Sequence, residues 1–356
     1  MKKENKKTIF LTGGGTGGSV SPLLAVKKSL EKHSVNWAFV WVGTRNGVER
    51  EMIKQEKNIS FVSIPSGKLR RYFSWRNFVD PFKLIIAFFC SVYLLFKKKP
   101  DLVLSAGSFV SVPVAWAAWF FRVPVLIHQQ DLRPGLANKL MAPVARVVTV
   151  AFASSLKDYG AKAKHIGNPL EIDPGQGGGG TGFALDPDSP VILITGGGTG
   201  SLAINSLVEE NIDDLLEIGQ IFHITGRDKK VLNKRSGYFV FPFLERESMF
   251  EIIRRADVVV SRAGLGSLTE LSFLGKPSIL IPLPGTHQED NAQEFKNHEA
   301  ALVLDQRKLS GEEFKNSIKS LVEDESRRRE LSQNIQGVVK PGAEREMLSI
   351  IRQIVK

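Results

Sequence analysis

The chain has 356 residues, 42% hydrophobic and 24% charged, a length that favours two domains and a composition that excludes extensive disorder. Cys90 is the single cysteine, which excludes an intrachain disulfide and a thiolate-built zinc site and fits a reducing compartment. The net charge of +11 is unevenly placed: residues 1–170 carry +17 and residues 171–356 carry −6, so the first half seeks an anionic partner and a uniformly basic nucleic-acid binder is disfavoured.

In chain order, a basic opening is followed by an apolar stretch of only Ile9 to Leu11, which argues against a secretory signal. Thr8–Thr12 reads as a strand, Gly13–Gly18 as a glycine loop, and Pro22–Lys32 as a helix capped by Ser21 with Pro22 at its first position. Trp37–Val42, Phe61–Ile64, Leu102–Ser105, Val125–Ile127 and Val147–Ala151 follow as nearly continuous apolar runs, the pattern of buried parallel strands. Asp173–Gly182, with Gly-Gln-Gly-Gly-Gly-Gly-Thr-Gly, cannot pack a core and reads as a linker.

The pattern then restarts. Val191–Thr195 reads as a strand, Gly196–Gly200 as a glycine loop and Ser201–Glu210 as a helix, and Thr-Gly-Gly-Gly-Thr-Gly recurs at 12–17 and 195–200. Strands at Ile221–Thr225, Tyr238–Phe241, Val258–Ser261 and Ser278–Ile281 alternate with helices that include Met249–Ala256 and Ser267–Leu274. The economical reading is α/β: two doubly wound Rossmann-like domains facing across a cleft into which the carboxyl ends of their strands open. The expected boundaries are a first domain over 1–170, a linker over 171–189, a second domain over 190–340, and a C-terminal helix over 341–356 that packs back on the first domain.

A glycine loop between strand and helix lets backbone amides approach an anion at a positive helix end. Neither loop is a P-loop, since no Gly-Lys-Ser/Thr follows, and neither leads to a strand ending on an acidic residue, which weighs against a nicotinamide cofactor. The segment from Ser261 to Glu270 is sharper. Amides near Gly266 and Ser267 can hold a diphosphate, and Glu270, one turn into the helix, can accept both hydroxyls of a ribose or simply satisfy the helix dipole. His287-Gln288-Glu289-Asp290-Asn291 supplies amide and imidazole groups suited to sugar hydroxyls, and equally reads as a helix start.

Several pieces run in order over nearly the whole chain: Gly14-Gly15-Thr16-Gly17-Gly18 with Pro22, Gly107-Ser108-Phe109-Val110-Ser111, Ile127-His128-Gln129-Gln130 with Asn138, Gly167-Asn168-Pro169, Arg262-Ala263-Gly264, Thr269-Glu270, and His287-Gln288 with Asn291. On these the chain resembles the membrane-associated N-acetylglucosaminyltransferases that convert lipid I to lipid II, glycosyltransferases of the GT-B type. The resemblance implies UDP-N-acetylglucosamine as donor on the second domain. The Leu244 backbone then meets the uracil, Glu270 the ribose, and Gly266 and Ser267 the phosphates, with Gly198, Thr199 and Arg262 completing the clamp. His287, Gln288 and Asn291 address the sugar. It also implies an undecaprenyl-pyrophosphate-linked muramyl-peptide acceptor on the first domain, near Thr16, Gly17, Gly18 and Asn168. No cofactor, no protein-bound metal and no nucleic-acid partner are expected.

Four segments depart from the family's pattern: Ser19 stands for His, His128-Gln129-Gln130-Asp131 for His-Glu-Gln-Asn, Leu170-Glu171 where Arg is usual, and Gly196-Gly197-Gly198-Thr199-Gly200-Ser201 for Gly-Gly-Ser-Gln-Gly-Ala. A serine hydroxyl is a poor base near neutral pH, so Asp131 and His128 are the candidates to deprotonate the acceptor, beside Ser19 itself. The alternative is that Asp131 caps a helix near 134–141 and His128 bonds inside the core. Phe82–Phe96, flanked by Lys68, Arg70, Arg71 and Arg76 and by Lys97, Lys98 and Lys99, is too short to span a bilayer; it reads equally as a buried core helix, while its flanking cations favour docking on an anionic membrane surface at the cytoplasmic face. Transfer to another lipid acceptor, nucleotide-sugar epimerisation, and a catalytically silent binder of the same fold remain as alternatives.

Overall fold

The computed structural model describes residues 6–15, 17–33, 36–67, 76–171, 185–227 and 235–355. Thr16, Lys68, Arg70, Arg71 and the glycine-rich linker lie outside these residues. Contacts divide the chain into two compact units, Met1–Glu171 with Lys340–Lys356, and Ile172–Val339.

In the first unit the chain runs β1 (Lys7–Thr12), α1 (Ser21–His33), β2 (Trp37–Gly43), α2 (Val48–Lys54), β3 (Ile59–Ser63), α3 (Arg76–Lys98), β4 (Leu102–Ser105), α4 (Ser111–Phe120), β5 (Val125–Gln129), α5 (Leu136–Met141), β6 (Val147–Val150) and β7 (Ala163–His165). The second unit holds β8 (Val191–Thr195), α6 (Leu202–Ile218), β9 (Gln220–Ile224), β10 (Tyr238–Phe241), α7 (Arg246–Arg255), β11 (Val258–Ser261), α8 (Leu265–Leu274), β12 (Ser278–Leu280), α9 (His287–Asn297), β13 (Leu302–Val303), α10 (Gly311–Glu323) and α11 (Glu325–Val338). Last, α12 (Ala343–Ile354) returns to the first unit and packs on α1.

Both sheets are parallel, in the orders β3-β2-β1-β4-β5-β6-β7 and β10-β9-β8-β11-β12-β13. The order reverses between β1 and β4 in one and between β8 and β11 in the other. Such switch points are where loops at the strand carboxyl ends diverge and leave room for a ligand.

Burial on both faces explains the apolar runs. In the first unit Ile9, Leu11 and Trp41 pack with Leu23, Leu30, Met347 and Ile351, while Phe10, Val103 and Ile127 face Leu95, Val114 and Ala118 on the other side. In the second, Ile192, Ile194 and Val260 pack with Ile204, Val208, Phe314 and Ile318. The described residues correct several local expectations. Ser21 is the first residue of α1 rather than its cap, its Oγ donating to the Gly17 carbonyl (3.1 Å). Of the two readings of the 287–291 segment the helix start holds: it opens α9, and the Thr286 hydroxyl accepts from the Gln288 N–H (3.3 Å) and caps it. The edge strands β7 and β13 add to the expected set.

Phe82–Phe96 lies within the 23-residue α3, and no described helix is long and apolar enough to cross a membrane. Ala87, Ser91 and Leu95 are buried, whereas Phe82, Phe89, Tyr93 and Phe96 are 64–68% exposed. These four recur at helical spacing and form an apolar stripe that the core does not use. On the packed neighbour α4, Trp119 and Phe120 are exposed as well.

Candidate active site

In the first unit the loop after β1 is shaped by a side chain that sequence reading missed. Glu49, on α2 and fully buried, accepts from the Gly15 N–H (3.1 Å), the Thr44 N–H (2.8 Å) and the Thr44 hydroxyl. A Cβ on Gly14 would sit 2.5 Å from Glu49 Oε1, and one on Gly47 2.0 Å from Oε2. Glycine at these positions therefore makes room for a carboxylate as well as for any ligand. Ser19 ends a 3-10 turn over Gly17–Ser19, and its hydroxyl donates to the Gly14 carbonyl (3.3 Å). Gly18 is exposed and Gly17 half-buried.

The loop after β4 closes the same switch point. Gly107 and Ser108 both have positive φ, 95° and 92°, a conformation that costs a serine of order 1–3 kcal/mol. Ser111 Oγ holds the Gly107 carbonyl (2.9 Å), fixing the start of α4.

At the end of β5, His128 is fully buried, with Nδ1 on Thr149 Oγ1 (3.0 Å) and Nε2 on Asn168 Oδ1 (2.9 Å). Burial lowers its pKa to about 4, against the Asn168 hydrogen bond. The ring is thus a neutral strut tying β5 to β6 and to the Gly167-Asn168-Pro169 turn, with no face open to an acceptor hydroxyl. Asn168 is buried beside it. Gly167 is required because a Cβ there would fall 1.9 Å from the Lys340 carbonyl. Asp131 is half-buried, in the irregular segment between β5 and α5, and the helix cap nearest to it is Gly135.

In the second unit the loop after β8 is held from behind by a cation. Arg262, buried just after β11, donates to the Ile281 carbonyl (2.8 Å) and to Ser201 Oγ (2.6 Å), and Ser201 in turn caps α6 by accepting from the Ile204 N–H (3.3 Å). Both guanidinium acceptors are neutral, so its charge remains to attract an anion, although burial lowers its pKa. Gly200 (φ 70°) packs so closely that a Cβ would lie 2.1 Å from the Thr225 carbonyl. Gly198 and Thr199 at the tip are exposed, and a Cβ on Gly198 would meet nothing within 4 Å.

The start of α8 has the same openness. Gly264 occupies its cap position with no side-chain cap, and Cβ atoms on Gly264 or Gly266 would meet nothing within 4 Å. These glycines leave first-turn amides bare, Ser267 among them, which is the requirement for close approach of an anion. Glu270 lies on the next turn, where burial pushes its carboxyl up to about 7 against the opposing field of Arg246. Asn291 is buried and donates to the Ala263 carbonyl (3.2 Å), so it ties α9 to the loop before α8. Gln288 Oε1 accepts from the Leu283 N–H (3.0 Å), and His287 is exposed. Leu244 follows β10, next to Phe243, whose ring lies under Arg227 (4.1 Å). The Asp-x-Asp spacing at Asp186-Pro187-Asp188, which sequence reading overlooked, is a turn closed by the Asp188 N–H on Asp186 Oδ1 (3.0 Å).

Two doubly wound units with parallel sheets, each opening a glycine loop at its switch point, have the GT-B architecture. The chain belongs to glycosyltransferase family 28: the family's N-terminal domain matches residues 9–150 and its C-terminal domain residues 191–347. It is 39% identical over 325 residues, 88% of this chain and 91% of the relative, to a Clostridium kluyveri protein named UDP-N-acetylglucosamine--N-acetylmuramyl-(pentapeptide) pyrophosphoryl-undecaprenol N-acetylglucosamine transferase. A Clostridium tetani protein of the same name is 37% identical over 330 residues, 90% of this chain and 91% of that one. Among solved structures, Acinetobacter baumannii MurG superposes with a TM-score of 0.75 at 24% identity, covering 98% of this chain and 99% of that one. The calicheamicin glycosyltransferase CalG4 gives 0.74 at 13% identity, covering 100% and 99%. At these identities the two structures speak to the fold.

Proposed function

We propose that this chain transfers N-acetylglucosamine from UDP-N-acetylglucosamine to the undecaprenyl-pyrophosphoryl-muramyl-peptide acceptor, with inversion at the anomeric carbon. The observation that carries the reading is the 39% identity, through both units, to a relative named for that reaction. The geometry is consistent with a division of labour. On the second unit the bare amides of Gly198, Gly266 and Ser267, with Arg262 behind them, suit a diphosphate; Glu270 suits the ribose, the Leu244 backbone the uracil, and His287, Gln288 and Asn291 the sugar. On the first unit Thr16, Gly17 and Gly18 take the acceptor diphosphate.

In the reaction the acceptor hydroxyl loses its proton to Asp131 and its oxygen bonds the anomeric carbon as the bond to UDP breaks. The charge that UDP gains is met by the amides and the guanidinium of the second unit. The complete burial of His128 supports giving it, with Asn168, a positioning role, and the bond from Ser19 to Gly14 supports a loop-shaping role for Ser19. Turnover with UDP-N-acetylglucosamine and a soluble lipid I analogue is the test: release of UDP with a disaccharide of inverted configuration is expected, and donor binding without transfer would refute the reading.

The exposed stripe of α3 and the aromatic residues of α4, beside Lys97, Lys98 and Lys99, support peripheral docking on an anionic membrane at the cytoplasmic face. Each such cation contributes about 1 kcal/mol near the surface. Binding to vesicles should fall with salt and with loss of anionic lipid, and Phe89→Ser with Phe96→Ser should weaken it.

A further inference from the structure

The segment after β5 has no regular secondary structure, yet three consecutive carbonyls in it are captured by buried side chains. Gln129 Nε2 donates to the carbonyls of Asp131 (2.7 Å) and Arg133 (3.1 Å), and Ser155 Oγ donates to the carbonyl of Leu132 between them (2.7 Å). On its other side Gln129 Oε1 accepts from Asn138 Nδ2 (2.6 Å) and Tyr159 Oη (2.9 Å). All four hydrogen-bonding positions of this amide are used, and the side chain is 2% exposed. With the partners present in this chain an amide matches the site: two carbonyls take its two donors, and a hydroxyl and an amide N–H meet its acceptor. A carboxylate of the same shape would set its oxygen against the carbonyls of Asp131 and Arg133.

From this we infer that Gln129 is a positioning residue for the transfer step: its amide fixes the backbone that carries Asp131 and thereby sets where that carboxylate stands. The inference rests on the reading of Asp131 as the base. An irregular loop would otherwise let the carboxylate wander, and a displacement of about 1 Å costs a reaction roughly a hundredfold. The clamp joins β5 to α5 through Asn138 and to Tyr159 beyond β6, so the aim of Asp131 is set by the sheet rather than by its own loop.

The test is a kinetic cycle on the full-length chain with UDP-N-acetylglucosamine and the soluble acceptor, using Gln129→Glu, Asp131→Asn and the double variant. Gln129→Glu should lower kcat about 10- to 100-fold with donor KM near wild type, alongside a fall in Tm from the buried carboxylate facing two carbonyls. In the Asp131→Asn background the same change should cost little, because nothing is left to aim. Unchanged kcat in Gln129→Glu, or a full and additive loss in the double variant, overturns the clamp. Unchanged kcat in Asp131→Asn overturns the base assignment, and the clamp's purpose with it, which is a different result from failure of the clamp alone. Should Gln129→Glu fail to fold, Tyr159→Phe removes one of the four bonds and should lower kcat about two- to tenfold with donor KM unchanged; no effect there is equally decisive against it.

Discussion

The sequence Thr-Gly-Gly-Gly-Thr-Gly occurs twice in this chain, and its two copies are backed by charges of opposite sign. Behind the first, the Glu49 carboxylate takes the Gly15 N–H, so one amide of the loop is already committed to the protein. Behind the second, Arg262 holds Ser201 and Ile281 through neutral acceptors and leaves a positive field under bare amides. The same local sequence thus becomes a loop pre-shaped by an internal anion in one unit and a loop ready for an external anion in the other. What a glycine loop does is decided by the residue packed beneath it, which arrives from 34 positions away in one case and 61 in the other.

Substitutions can break that contrast, beginning with the largest effect. Gly200→Ala places a Cβ 2.1 Å from the Thr225 carbonyl at a positive φ and should destabilise the second unit by roughly 3 kcal/mol or more, read as a fall in Tm, whereas Gly198→Ala should leave Tm alone and raise donor KM. Arg262→Met removes the cation but keeps the bulk; calorimetry should show UDP affinity weaker by about 1.5–3 kcal/mol, and an unchanged value would mean that the guanidinium is only a strut.

Glu49→Gln tests the first loop. One of its two oxygen positions becomes an N–H facing an N–H donor, so the loop should loosen, with acceptor KM raised about 3- to 30-fold and donor KM untouched. A further test concerns Glu270. Its carboxyl titrates near 7 in the folded chain against an ordinary value of 4.5, so the folded state holds the proton more tightly and stability falls as pH rises through that window. Glu270→Gln should therefore raise Tm at pH 8 and leave it unchanged at pH 4, while weakening UDP binding. A Tm gain that is the same at both pH values would contradict the burial argument.

Much of the fold was legible because most of its strands are short apolar runs, buried in the sheet interior and bounded by Pro, Gly or Asp. Leu102–Ser105, Val191–Thr195, Tyr238–Phe241 and Val258–Ser261 fall at their expected bounds. The strands β7 and β13 were not legible: at three and two residues, half-buried at sheet edges, they lack an apolar run to announce them. The helices of the second unit begin or end away from their expected bounds, since α6 runs on to Ile218 through polar residues on its solvent side. At the site, the sequence marks the loops and their glycines, because glycine is a local signal. It does not mark Glu49 as the residue beneath Gly15, nor the four bonds of Gln129, because those pairings exist only once β1, α2, β5 and the segment after β6 have been brought together.

The Gly167 turn pressed against the Lys340 carbonyl also orders events during synthesis. The first unit is interrupted: its chain leaves at Glu171 and is completed only by α12, whose Met347 and Ile351 lie in its core. At about 5–20 residues per second the ribosome makes the whole second unit, over roughly ten to thirty seconds, before α12 can emerge. The nascent first unit must wait through that interval with the apolar face of α1 uncovered, so the unit begun first is the one finished last, and a ribosome stalled after the second unit would release one closed domain and one open one.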